Sequence, residues 1–268
     1  MQTPLQCSSA GKTAAGIALR HLKALRHAAE RLVDGDDDAL HDFRVALRRL
    51  RVILSAYRNV LKPASRRKMR KKLKRLARFT GPARDAQAWV LWLSERKNSA
   101  GFEHVSSVIR KLERFRVAAF REIQEKAVGR FWDLKPKLAH RLKKVRRQAD
   151  VRPLFGPETA KAVSREAGSF MRLLAAYRRR PVATAGHKLR IASKRLRYLL
   201  EPWEKDFSLK YFQDLLGEMH DLDGLEIQKN PAAVLTAIKK RKAEIRDELA
   251  GGKLDDLEKF VRRRRNFL

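Results

Sequence analysis

The sequence predicts an all-helical protein, and three observations carry that prediction. Apolar residues recur at three- and four-residue spacing along almost all of the 268-residue chain, and alternating β-branched residues are nearly absent. Proline and glycine sites then cut the pattern into about a dozen segments of helical length. The expected breaks are Asp34-Gly35-Asp36, Lys62-Pro63, Gly81-Pro82, Gly101, Lys135-Pro136, Arg152-Pro153, Gly156-Pro157, Arg180-Pro181, Glu201-Pro202 and Asn230-Pro231. The Arg152 to Pro157 stretch holds two prolines and a glycine and is read as the midpoint linker. It sets expected halves at residues 1–150 and 151–268, each with about six helices.

Composition narrows the class of partner. With 44% apolar residues the chain can bury a core and is not a disordered basic tail. Its 63 Lys plus Arg against 30 Asp plus Glu leave a formal net charge of +33. A fold so charged repels itself unless anions neutralise it, so nucleic acid, an anionic membrane or polyphosphate is the expected partner class. Cys7 is the only cysteine, which excludes an intrachain disulfide or a cysteine-built zinc site and fits a reducing compartment. No stretch approaches the ~20 apolar residues of a membrane span, and Met1 to Gly16 lacks the pattern of a secretory signal. A cytoplasmic protein is expected.

An internal repeat is the most informative feature. His41-Asp42-Phe43-Arg44-Val45-Ala46-Leu47-Arg48-Arg49-Leu50-Arg51 aligns without a gap on His187-Lys188-Leu189-Arg190-Ile191-Ala192-Ser193-Lys194-Arg195-Leu196-Arg197. Both read His-x-apolar-Arg-apolar-Ala-x-basic-Arg-Leu-Arg. A shorter match follows each copy, Gly81 to Asp85 against Gly217 to Asp221, both Gly-x-x-basic-Asp and both expected as turns.

At about 100° per residue the repeat keeps its faces as well as its letters. His41, Arg44, Arg48 and Arg51 form one stripe opposite Phe43, Ala46, Leu47, Leu50, Ile53, Leu54 and Tyr57. His187, Arg190, Lys194 and Arg197 form the second, opposite Leu189, Ala192, Leu196, Leu199, Leu200 and Trp203. Arg49 and Arg195 flank the stripes. Like charges four residues apart cost a helix a few tenths of a kcal/mol each, about what a salt-bridged pair gains, so a polyanion is the expected counterpart. Guanidinium groups grip phosphate oxygens through paired hydrogen bonds, and histidine adds donors near neutral pH. Two facing stripes would make a basic cleft. A single such stripe is ordinarily just a solvated face; two in the same residue order ask for more than solvation.

These residues resemble the CHAD domain, the conserved histidine α-helical domain, over nearly the whole chain from about Thr13. The resemblance implies two four-helix-bundle-like halves, pseudo-symmetric about a basic central cavity that binds inorganic polyphosphate, often at polyphosphate granules. Its ligand residues carry over onto His41, Arg44, Arg48, Arg49, Arg51, His187, Arg190, Lys194, Arg195 and Arg197. Lys194 departs by standing where the first copy has Arg48, and Arg84 and His220 differ within the shorter match. No Glu-x-Glu-x-Lys signature of an attached triphosphate-tunnel domain is found, so a stand-alone binding module is expected.

Lys72 and Arg75, in the cationic Arg66 to Arg78 segment, are added as extensions of the site. Lys137 to Arg147, Arg178 to Arg180, Lys239 to Lys242 and Arg262 to Arg265 read as peripheral solvated faces. Gly11-Lys12-Thr13 mimics the end of a phosphate-binding loop, but Gln6 stands where its first glycine belongs. The acidic run Asp34, Asp36, Asp37 and Asp38 lacks calcium-loop spacing and is read as complementing the next helix's N-terminal dipole. No catalytic residue, metal site or cofactor is expected. The alternative function is nonspecific nucleic-acid binding; scarce aromatic residues, 7% of the chain and largely on core faces, argue against it. A polyphosphate-cleaving enzyme is disfavoured because the stripes offer cations without clustered carboxylates.

Overall fold

A computed structural model describes residues 6–36, 38–99, 102, 105–203, 207–228, 230–250 and 253–265, leaving the side chains of 207, 208, 253, 264 and 265 outside the description. Asp37 and Gly101 of the expected acidic run and breaks, and the side chains of Arg264 and Arg265, therefore lie outside the described residues. The described chain is helical: α1 (Ala10–Val33), α2 (Asp38–Ala56), α3 (Arg67–Phe79), α4 (Gly81–Ser94), α5 (Val105–Glu122), a π-helical stretch (Ile123–Val128), α6 (Gly129–Gln148), α7 (Phe155–Arg179), α8 (Ala183–Leu200), α9 (Phe207–Glu226), α10 (Ala232–Ala250) and α11 (Lys253–Arg265). Among the described residues there is no strand, only an isolated bridge between Ser9 and Leu154.

Helix ends fall where local chemistry puts them. The Ser9 hydroxyl accepts from the Lys12 amide and caps α1. Asp36 does the same for α2, accepting from the amides of Asp38 at 2.8 Å and Ala39 at 3.3 Å. Arg31 donates to the same carboxylate and, with the two amides, holds its pKa below the usual carboxylate value. The acidic run thus does start α2, after Gly35 turns the chain at φ 84°. Pro181, Pro202 and Pro231 sit at the ends of α7, α8 and α10 as expected.

Three expectations are corrected. Pro136 does not end a helix but lies inside α6, where it removes one hydrogen bond at a cost of about 3 kcal/mol. Phe131, Leu134, Leu138, Leu142 and Val145 stay buried along one stripe through that point, and each such side chain contributes about 1.5–3 kcal/mol, so burial wins. Gly156-Pro157 is likewise the first turn of α7 rather than a break, a position that tolerates proline. Gly217 to Asp221 is no turn: it lies in the middle of α9, whereas Gly81 to Asp85 opens α4.

The chain forms two compact units, each discontinuous in sequence. The first comprises Met1–Arg84 and Ala118–Ala162, and the second Asp85–Val117 and Val163–Phe267. In the first, α1 packs on α2 and α6, α2 on α3, and α3 on α6 and the π-helical stretch. Its core includes Phe43 edge-on to Phe131 at 5.9 Å and Tyr57 stacked on Phe155 at 5.2 Å. In the second, α8 packs on α9, and α9 on α10 and α11. Trp89 of α4 belongs here because its indole N–H donates to the Asp221 carbonyl at 2.8 Å while its ring occupies the space left by Gly224.

Candidate functional site

The core faces of both repeated helices are packed as the periodicity requires. Phe43, Ala46, Leu47, Leu50, Ile53, Leu54 and Tyr57 are buried, as are Leu189, Ala192, Leu196, Leu199 and Leu200; Trp203 is only half-buried. Burying one face leaves the basic residues on the other. In the first unit Arg44 reaches the end of α3, donating to the Thr80 hydroxyl at 3.0 Å, and Thr80 in turn donates to the Ala77 carbonyl. Thr80 itself is fully buried, so the Arg44 guanidinium is tied at one nitrogen to a fixed point.

His41 sits in a strongly positive setting. Partial desolvation is the first cause that lowers its pKa, followed by Arg84; Arg48 and Arg44 add to this, and Asp42 opposes it. Asp42 is itself engaged by Arg31 at 2.6 Å. The second unit repeats the pattern with different letters. His187 is held below its ordinary pKa by desolvation and then by Arg190 and Lys194. Its ring lies 4.6 Å from that of His220, centroid to centroid, and the Arg190 guanidinium lies over Gly217 of α9, 3.7 Å from where a Cβ would stand. His187 Nδ1 is enclosed and makes no hydrogen bond within the protein.

The structure therefore gathers His41, Arg44, Arg48 and Arg84 in one unit, and His187, Arg190, Lys194 and His220 in the other. Arg84 and His220 are the basic members of the two Gly-x-x-basic-Asp matches, so the signal for them was present in the sequence. Nothing in the sequence marked Thr80. The flanking arginines turn elsewhere: Arg49 lies close enough to His21 of α1 to depress its pKa, and Arg195 reaches Glu166 of α7 at 4.0 Å. Arg51 is half-buried, and the Arg197 guanidinium lies 5.1 Å above the Tyr198 ring. Lys72 and Arg75 line a separate groove, walled by α3, α6 and Pro82, that includes no residue of the α2 stripe. The loop-like Gly11 is explained by packing, since a Cβ there would stand 2.6 Å from that of Ala149.

Among the described residues no three His, Cys, Asp or Glu side chains are grouped to hold a metal ion. No described helix is long and apolar enough to cross a membrane.

A chain whose described residues are mostly helical and include no strand, with a duplicated histidine-and-arginine helix, each copy meeting a further basic residue in its own unit, defines the class of protein. The CHAD domain family model matches residues 16–227, and the chain belongs to that family. Two solved structures share its fold. The CHAD domain from the plant Ricinus communis is 21% identical with a TM-score of 0.69, covering 98% of this chain and 95% of that one. PptA from Streptomyces chartreusis is 16% identical with a TM-score of 0.66, covering 95% and 99%. No curated protein matches.

Proposed function

We propose that this chain binds inorganic polyphosphate through the basic clusters on α2 and α8. The observation that carries the reading is the placement of each repeated histidine among cations, His41 with Arg84, Arg48 and Arg44, and His187 with Arg190 and Lys194, the ring of His220 lying beside His187. Such a histidine is kept neutral in the free protein. It gains its proton when phosphate oxygens arrive, so the site adds charge in response to its ligand. Arginine guanidinium groups can present paired donors to successive phosphates. Polyphosphate offers that charge density without bases to stack, which suits clusters whose named members are arginine, lysine and histidine. The cytoplasm, with polyphosphate granules where they form, is the proposed setting.

Competition against single-stranded DNA tests the choice of ligand. Polyphosphate is expected to displace DNA at far lower phosphate concentration than the reverse; equal exchange would favour the nucleic-acid reading, whose backbone electrostatics are the same. We also propose binding without turnover, because the repeated stripes offer cations without clustered carboxylates. Incubation with polyphosphate and magnesium should leave chain length unchanged, and released phosphate would overturn this.

A further inference from the structure

Away from the α2 stripe, the first unit holds a half-open groove of about 740 Å³ lined by residues of α3 and α6 and by Pro82. The π-helical stretch beside it packs against α3 and is pinned where Gln124 donates its side-chain amide to the Leu32 carbonyl at 2.7 Å. The volume is that of a small-molecule site, typically ~300–1,000 Å³.

Three kinds of group line it. Leu76 and Leu134 form an apolar floor, continued by the Phe79 ring, over which the Arg130 guanidinium lies at 4.5 Å from the centroid. Lys72 and Arg75 stand on the exposed rim one turn apart on α3, a separation of about 5–6 Å that suits neighbouring phosphates. Glu122 and Asp133 also line it and supply acceptors, Glu122 being paired with Lys126 at 3.1 Å.

A bare phosphate chain would use the cations and leave the apolar floor unmatched. An uncharged ring would do the opposite. A phosphorylated purine nucleoside uses all three: its flat base against Phe79 and the leucines, its amino and hydroxyl donors toward Glu122 and Asp133, and its phosphates on Lys72 and Arg75. We propose that this groove is a nucleoside triphosphate site, separate from the polyphosphate clusters and independent of that reading.

Calorimetry with ATP, adenosine and tripolyphosphate tests it in the Arg44→Glu/Arg190→Glu protein, where the clusters no longer compete. ATP is expected to bind about tenfold more tightly than either fragment, since each fragment forfeits the ring contacts or the charge-assisted hydrogen bonds. Adding Lys72→Glu and Arg75→Glu, both exposed side chains, should abolish most of that affinity while leaving the thermal midpoint unchanged. The proposal falls if tripolyphosphate matches ATP, if the Lys72 and Arg75 reversals leave ATP binding intact, or if ATP does not bind at millimolar concentration. Failure of the polyphosphate reading would show separately, as equal long-chain polyphosphate binding by the wild type and the Arg44→Glu/Arg190→Glu protein.

Discussion

Thr159 has one hydroxyl proton, and it goes to the Phe155 carbonyl at 2.7 Å, so the Tyr57 hydroxyl 2.7 Å away must be the donor in their pair. Burial pushes the Tyr57 pKa up to about 12, which keeps that donor protonated. Tyr57→Phe is expected to cost about 0.5–1.5 kcal/mol in urea unfolding, because Thr159 keeps its own acceptor. Thr159→Val should cost more, about 1–3 kcal/mol, since it strands the buried tyrosine proton. The histidines set two pH dependences of known sign. His21 is depressed to about 4 by burial and then by Arg49, so between the unfolded value of 6.5 and about 4 the unfolded chain binds more protons. Stability must fall as pH falls through that window, and His21→Gln should flatten the loss. His41 and His187 have lowered pKa values in the free protein, and the proposed phosphate binding should raise them. Polyphosphate affinity should therefore strengthen as pH drops and be lost as pH rises through the bound-state pKa, and His41→Gln/His187→Gln should remove most of the slope.

Helix α9 owes its seat to a missing side chain. A Cβ on Gly224 would stand 2.8 Å from the Trp89 ring, and an indole tethered by a hydrogen bond to Asp221 has little room to withdraw. Gly224→Ala is expected to destabilise by about 1–3 kcal/mol, an overpacking penalty read from the urea midpoint at constant slope. That contact also shows where helix patterns stop being informative. The stripes of α2 and α8 were legible because amphipathic periodicity is a local property, and it placed twelve core residues correctly, Trp203 being half-exposed instead. Helix ends at Pro181, Pro202 and Pro231 were legible for the same reason. Pro136 and Gly217 were misread because proline and glycine are breakers only when nothing opposes them. At Pro136 a continuous buried stripe does; at Gly217 the glycine lies under the Arg190 side chain within α9.

For the whole molecule, a net charge of +33 makes weak attraction to any polyanion unavoidable, so the question is whether particular cations matter more than their number. The repeat identified the histidine helices, while its shorter partner left open whether Arg84 and His220 belong with them. Residue order could not show that Arg49 and Arg195 turn toward His21 and Glu166, because those neighbours come from α1 and α7, far away in sequence. The two units were hidden similarly: a single hydrogen bond from Trp89 to Asp221 joins segments 132 positions apart. The most direct measurement is calorimetric titration of polyphosphate of defined length against two folded double variants. Reversing Arg44 and Arg190 to glutamate should weaken binding by about 3 kcal/mol or more, the loss of two charge-assisted contacts. Reversing Arg262 and Arg263, on the exposed side of α11 with Arg262 already paired to Glu258, changes the net charge equally and should cost far less. Equal losses from the two variants would contradict a specific site and leave only general electrostatic attraction.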